Sequence, residues 1–283
     1  MSDESPATLR RIAEEGARLA GKVLSERFLG ERTIEYKGGI DTDLVTDADR
    51  AAEAAVLGFI RQRYPGHAIL AEESGASQGT GLRWVVDPLD GTTNYAHRVP
   101  HFCVSVGVEG PGGVLAGAIY NPMLDELFSA ARGQGATLNG RPLRASGCTE
   151  LSHALLCTGF PYDVHQKPEG PMGLLRRFIV RAQGIRRTGS AALDLAYVAA
   201  GRFDGFFEFG LKPWDVAAGS LLVQEAGGAM VRIDGAPFQV GVGDVLACAP
   251  GLADALIAES KGFLADLGWT PVSVPSPFGR GSG

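Results

Sequence analysis

The sequence holds few cysteines, no long apolar run and no excess of basic charge, and each shortage excludes something. Its four cysteines, Cys103, Cys148, Cys157 and Cys248, are scattered without any CxxC spacing. That removes the usual zinc and disulfide frameworks and predicts reduced thiols, three of them in apolar surroundings. No apolar stretch approaches the ~20 residues that span a bilayer, so no membrane helix is expected. The N-terminus is polar and acidic, unlike a secretory signal, and a cytoplasmic location is expected. Lysine and arginine number 26 against 32 acids, a net charge of −6. A nucleic-acid or membrane-surface binder usually shows the opposite balance, so nucleic acid is not expected as a partner. A chain of this charge that handles phosphates needs metal ions to do so.

What is present fits a soluble enzyme. The 283 residues are 45% hydrophobic and 20% charged, enough for one large domain or two packed halves. Forty glycines fall in short turns rather than in a repeat. Residues 6–28 read as an amphipathic helix, with Leu9, Ile12, Ala13, Leu19, Ala20, Val23, Leu24 and Phe28 at helical spacing. A short strand at Ile34–Lys37 and a Gly-rich loop over 38–43 follow. Thr46 or Asp47 caps a second helix to about Tyr64, where Pro65-Gly66 stops it. Strands are expected at 67–71, 84–87, 102–108, 114–120 and 125–132, with Gly75–Gly81 and Gly133–Gly140 as turns. Beyond residue 150 strands at 154–158, 204–209, 229–233 and 245–249 alternate with helices at 170–183, 190–200, 214–226 and 252–267. The expected organisation is an antiparallel α+β half over 1–148 and an α/β half over 149–270. The tail at 271–283, rich in Pro, Ser and Gly, is expected to be disordered.

Three stretches carry chemistry. In Trp84-Val-Val-Asp87-Pro-Leu-Asp90-Gly91-Thr92-Thr93-Asn94-Tyr95 a buried strand breaks into a turn with two carboxylates. Pro88 stiffens it, and Gly91 allows close approach of a ligand. Carboxylates for hard cations beside a donor-rich turn suit a metal-plus-phosphate site, though alone the stretch reads equally as an ordinary strand–turn. In Pro213-Trp214-Asp215-Val-Ala-Ala-Gly219 a proline at the first helical position puts Asp215 in the first turn. There it serves the helix dipole or a ligand. Gly189-Ser190 opens another helix, an anion- or hydroxyl-binding arrangement or a plain cap. Glu72 and Glu73 are adjacent at a strand end, so at most one faces a shared site.

In order and spacing these motifs resemble the inositol monophosphatase family over residues 6–268. Trp84–Tyr95, with Pro100 and Ser105 downstream, is similar to its first signature and Trp214–Gly228 to its second. Asp43–Asp49 and Ala71–Ser74 fall where the family has further motifs. Leu89 stands where isoleucine is usual and Tyr95 where phenylalanine is common. The resemblance implies a layered α/β/α/β/α fold, a homodimer, Li⁺ inhibition and two or three Mg²⁺ ions. By the same resemblance Glu72, Asp87, the Leu89 carbonyl and Thr92 surround the first ion, and Asp87, Asp90 and Asp215 hold the second. A third leans on Glu72. Thr92 and Asp49 orient the attacking water, while Asp90, Gly91 and Thr92 hold the phosphate. Gly189, Ser190, Ala191 and Glu208 contact substrate hydroxyls, with Asp215 beside them, and Lys37 matches a basic residue near the metals.

The implied activity is hydrolysis of a small phosphate monoester, myo-inositol 1-phosphate or a related polyol phosphate. Fructose 1,6-bisphosphate, adenosine 3′,5′-bisphosphate and histidinol phosphate are rival substrates. A non-enzymatic role as an RNA-associated transcription factor is the alternative from another class. His97, His101, Arg186 and Arg187 are expected to be neighbouring or surface residues. Phe203, Phe206, Phe207 and Phe209 are expected in the core.

Overall fold

The computed structural model describes residues 4–31, 33–36 and 44–268. Lys37, the loop at 38–43 and the tail at 271–283 lie outside the described residues.

Helix α1 (Pro6–Arg27) starts at Ser5, whose hydroxyl accepts the Thr8 N–H, with Pro6 in the first turn. After β1 (Ile34–Tyr36) and β2 (Leu44–Thr46), an antiparallel pair, Thr46 caps α2 (Asp47–Arg63). Each helix buries one stripe: Leu9, Ile12, Ala13, Ala17, Ala20 and Leu24 on α1; Ala48, Ala52, Val56 and Ile60 on α2.

Both stripes lie against an eight-stranded sheet. Its strands are β3 (Ala68–Ala71), β4 (Gly75–Ser77), β5 (Arg83–Asp90), β6 (Cys103–Gly110), β7 (Gly113–Asn121), β8 (Glu126–Ala131), β9 (Ala136–Leu138) and β10 (Arg141–Pro142). They run in the order β10-β9-β8-β7-β6-β5-β3-β4, antiparallel except where β3 meets β5. A short helix, α3 (Thr92–Ala96), follows β5. Tyr95 donates its buried hydroxyl to Leu24 O, a carbonyl in the last turn of α1, so the family's usual phenylalanine is replaced by a ring that also caps a helix.

The second half alternates β11 (Leu155–Thr158), α4 (Glu169–Ile179), β12 (Gly184–Arg186), α5 (Ala191–Ala199), β13 (Gly205–Glu208) and α6 (Pro213–Glu225). It closes with β14 (Ala229–Arg232), β15 (Val245–Cys248) and α7 (Ala253–Leu267). The five strands make one sheet, β12-β11-β13-β15-β14, parallel on the β12-β11-β13 side and antiparallel on the other.

Strand alternation sorts the side chains into three cores. Trp84, Val86, Val104 and Val106 face α1 and α2. Val85, Cys103 and Ile119 face the other way, onto α5 and α6, which also cover Cys157, Phe206 and Ala247 of the second sheet. Leu156, Phe207 and Leu246 point outward to Leu174 and Phe178 of α4 and Leu256 and Leu264 of α7. The result is the expected α/β/α/β/α stack. Because α5 and α6 lie between two sheets they are apolar nearly all round, as a sandwiched helix must be.

Register partners Gly107 of β6 and Gly117 of β7 make a flat seat for α6. A Cβ on Gly107 would lie 2.9 Å from Ala217 Cβ, and one on Gly117 would lie 2.8 Å from Ala218 Cα. All four cysteines are free, with Cys148 half-buried and the other three buried. The four expected phenylalanines are in the core.

Candidate active site

The geometry begins with a bulge. Asp87 pairs with Ser105 and Asp90 with Cys103, so three steps along β5 match two along β6. Residues three apart on a regular strand point to opposite faces; one extra residue turns both aspartates to the α5–α6 side. Pro88, without an N–H to give the ladder, sits in the irregular segment. Leu89 goes the other way and is buried in the α1–α2 core. Gly91 then turns left-handed (φ 100°), with the His101 carbonyl and Phe102 Cβ 3.1 and 3.2 Å from any Cβ placed there.

Glu72 follows β3 and its N–H bonds Val86 O, placing it beside Asp87. Its neighbour Glu73 turns towards α2, where its N–H bonds the Glu53 carboxylate. The Glu73 charge is felt at Asp49, whose carboxyl it helps to raise, while Glu72 stands beside Asp87. Asp215 comes from the first turn of α6 and accepts the Lys212 N–H at 2.7 Å. The seat beneath α6 and a 3.1 Å bond from Ser105 Oγ to Trp214 O fix that turn against the first sheet.

Burial holds Asp87 well above the usual carboxylate range, and the charges of Glu72, Asp90 and Asp215 push it further. Asp215 is raised by burial and then by Asp90. Asp90 is also raised by burial, against hydrogen bonds from Ser190 and Ala192. One oxygen of each aspartate is anchored: Asp87 Oδ1 by Leu89 N–H, Asp90 Oδ2 by Ser190 Oγ and Ala192 N–H, Asp215 Oδ2 by Lys212 N–H. Asp90 thus caps α5 from across the chain, and the Ser190 hydroxyl, expected to meet substrate, is committed to that carboxylate.

Asp49, fully buried, accepts from the Thr46 N–H and hydroxyl, and burial lifts it to about 6. The Thr92 hydroxyl lies between Leu89 O (3.0 Å) and Asp49 Oδ1 (3.2 Å). A cavity of about 120 Å³, room for a small phosphate ester, is lined by Asp90, Gly91, Thr92, Gly189, Ser190, Ala191, Glu208 and Asp215. The expected pair Arg186-Arg187 splits: Arg187 lines this cavity, whereas Arg186 folds back onto Ile185 O. His97 borders an adjoining apolar cavity, and His101 stacks edge-on to Tyr197.

Comparison with known proteins gives the same address. The profile of the inositol monophosphatase family matches residues 5–263. This chain belongs to the inositol monophosphatase family. It is 45% identical over 257 residues to the Escherichia coli K12 protein called Nus factor SuhB, covering 90% of this chain and 96% of that one. Among solved structures, the extragenic suppressor protein suhB of Bartonella henselae superposes with a TM-score of 0.85 at 38% identity, covering 90% and 98% of the two chains. The inositol monophosphatase of Anabaena (Nostoc) sp. PCC 7120 gives 0.81 at 44% identity, covering 89% and 95%.

Inositol monophosphatases generally depend on Mg²⁺. The donor set here fits a hard divalent cation in kind: carboxylates from three elements, each aspartate with one oxygen anchored, plus the Leu89 carbonyl. Among the described residues no three such side chains stand in preset ligating positions, so the fit is one of donor chemistry and convergence. No described helix is long and apolar enough to cross a membrane.

Gly159 and Asp194 are among the lining residues that escaped the sequence reading. Gly159 makes room for Glu208, whose Oε2 would be 2.1 Å from a Cβ at that position. Asp194, 1% exposed, also lines the cavity. Its signal was available: a lone acid in the otherwise apolar run Ala191-Ala-Leu-Asp-Leu-Ala-Tyr-Val198.

Proposed function

We propose that this chain is a Mg²⁺-dependent phosphomonoesterase acting on myo-inositol 1-phosphate or a related polyol phosphate. The observation that carries the reading is the convergence of Glu72, Asp87, Asp90 and Asp215 beside the Thr92–Asp49 pair, with Asp90, Thr92 and Asp215 lining one small cavity. Glu72, Asp87, Asp90, Asp215 and the Leu89 carbonyl would hold two or three ions, and Thr92 borders the first. Bound Mg²⁺ would supply a water of lowered pKa and offset the charge of the phosphate and leaving oxygen. Asp90, Gly91 and Thr92 face the phosphate. The Thr92 hydroxyl orients the attacking water, and Asp49 takes its proton through that hydroxyl. Gly189, Ala191 and Glu208 meet the leaving group. Homodimerisation, Li⁺ inhibition and a cytoplasmic location follow from the same reading.

The test is a phosphatase panel of myo-inositol 1-phosphate, fructose 1,6-bisphosphate, adenosine 3′,5′-bisphosphate and histidinol phosphate, with Mg²⁺ and with EDTA. Release of phosphate from the inositol ester in Mg²⁺, abolished by EDTA, is expected. Hydrolysis of none of the four, or undiminished release in EDTA, overturns the reading.

A pH dependence follows from Asp49. Only its ionised form accepts a proton, and burial places that ionisation at about 6. The rate should fall as pH drops through about 6 at saturating Mg²⁺, with about a tenfold loss per unit below. A kcat/KM profile flat to pH 4.5 would remove Asp49 from the role.

A second reading rests on the name shared by relatives 45% identical to this chain, Nus factor. The exclusion of nucleic acid from net charge alone is therefore withdrawn. On this reading the chain joins a transcription complex, through protein or RNA, alongside its phosphatase site.

A further inference from the structure

Of the four carboxylates at the site, Glu72 is seated differently from the other three. Asp87 and Asp90 stand on β5, an inner strand, and Asp215 on the first turn of α6. Glu72 opens the three-residue loop Glu72-Glu73-Ser74, which joins β3 to the short edge strand β4 between the register partners Ala71 and Gly75. Gly75 turns left-handed there (φ 74°), as so short a hairpin asks. A ligand on an edge loop needs its backbone fixed by something other than the sheet. The Glu72 N–H still reaches Val86 O at 3.2 Å. The next amide leaves the sheet, and the Glu73 N–H donates to Glu53 Oε2 at 2.9 Å.

Glu53 lies on α2, four residues after Asp49, and is 5% exposed in a stripe otherwise made of Ala48, Ala52, Val56 and Ile60. A glutamate is seldom buried so far, and among the described residues this one is bonded to a backbone amide rather than to a cation. Residues four apart share one helix face, about 6 Å apart along the axis. One face of α2 thus serves two parts of the site. Asp49 Oδ1 meets the Thr92 hydroxyl, and Glu53 holds the amide that follows Glu72. Resting on the phosphatase reading above, we propose that Glu53 is a positioning residue for the metal site: by holding the Glu73 N–H it fixes the turn that keeps Glu72 beside Asp87. It acts through the backbone and touches neither ion nor substrate. Partners one bond behind a ligand are worth about 10–100-fold in metal affinity.

The test compares two substitutions of similar volume. Glu53→Gln keeps an acceptor for the Glu73 N–H, whereas Glu53→Met removes it. Mg²⁺ alone is titrated into the EDTA-stripped full chain and read by calorimetry and by the rise in Tm. Glu53→Met should raise the Mg²⁺ dissociation constant about 10-fold or more, and Glu53→Gln less than about 3-fold. Glu53→Ala replaces the methionine variant if that one folds poorly. A folded variant that lacks the acceptor yet binds Mg²⁺ like the wild type, whatever its Tm, overturns the proposal and leaves the phosphatase reading standing. Equal losses in Glu53→Gln and Glu53→Met also overturn it, because the charge of Glu53 rather than its bond would then be responsible. A folded wild type that binds no Mg²⁺ removes the metal site, and both readings with it.

Discussion

Asp90→Asn should cut turnover of the preferred phosphate ester by about 10²–10³-fold while leaving the fold intact, the scale seen when one charge-stabilising group is removed from an active site. Asp90 has two tasks, and this substitution separates them. The first is structural: Oδ2 takes bonds from Ser190 Oγ at 2.7 Å and Ala192 N–H at 2.6 Å, tying β5 to the start of α5. An asparagine oxygen can accept both. The second is electrostatic and cannot be copied by an amide. The charge of Asp90 raises both Asp87 and Asp215, so its loss relieves like-charge repulsion. The variant should therefore melt at or above the wild type without Mg²⁺, yet gain less from it. At 100 times the dissociation constant a bound ligand adds about 2.7 kcal/mol, and that increment should shrink. Calorimetric melts with and without Mg²⁺, run beside the rate assay, decide it. Full activity in the variant would sink the proposed division of labour.

Gly107→Val should be among the most damaging single changes to stability. The Cβ alone would stand 2.9 Å from Ala217 Cβ and 3.2 Å from Ala218 N, and backbone cannot swing aside as a side chain can. Overpacking of this kind costs about 1–3 kcal/mol, occasionally more. For a chain of this size that is a fall in Tm of roughly 3–10 °C. Lifting α6 also moves Asp215, so the variant should lose stabilisation by Mg²⁺ out of proportion to its Tm. Gly58→Ala is the control. It lies inside α2 with nothing within 4 Å of its Cβ, and alanine there should add about 0.5–1 kcal/mol. A Gly107→Val protein that melts with the wild type would mean the seat is not tight.

Much of this was legible from the sequence, for reasons that differ by element. Helices α1, α2, α5, α6 and α7 each run two turns or more, long enough for periodicity and caps to speak. Strands β4, β9 and β10 are two or three residues, less than a pattern; β4 and β9 lie in stretches read as loop or turn, and β10 lies just past the second. Helix α4 ends at Ile179 rather than near Gln183, because Val180 caps it and the chain enters β12 at Gly184. The acids of the site were named from motif resemblance. How they come together was not legible, since register belongs to two strands at once. Thr92 lies within reach of Asp49 as expected, whereas Ser190 proved to serve Asp90, a bond that no spacing between residues 90 and 190 announces. Asp194 was overlooked because a single acid on a helix has an easy surface explanation. Only the second sheet, closing over α5, removes it.

The bulge between Asp87 and Asp90 makes this wall sensitive to length rather than to composition. Many residues could stand at position 88 or 89 without reversing a side chain. Removing either one would restore even pairing with β6 and leave Asp90 on the Asp87 face. It would, however, erase the bulge that brings the Leu89 N–H to Asp87 and the Leu89 carbonyl to Thr92. The smallest edit that takes this wall apart is thus a three-base deletion that changes no acid at all. A chain of this family with the same carboxylates and one residue fewer here would keep the motif's letters and lose its arithmetic.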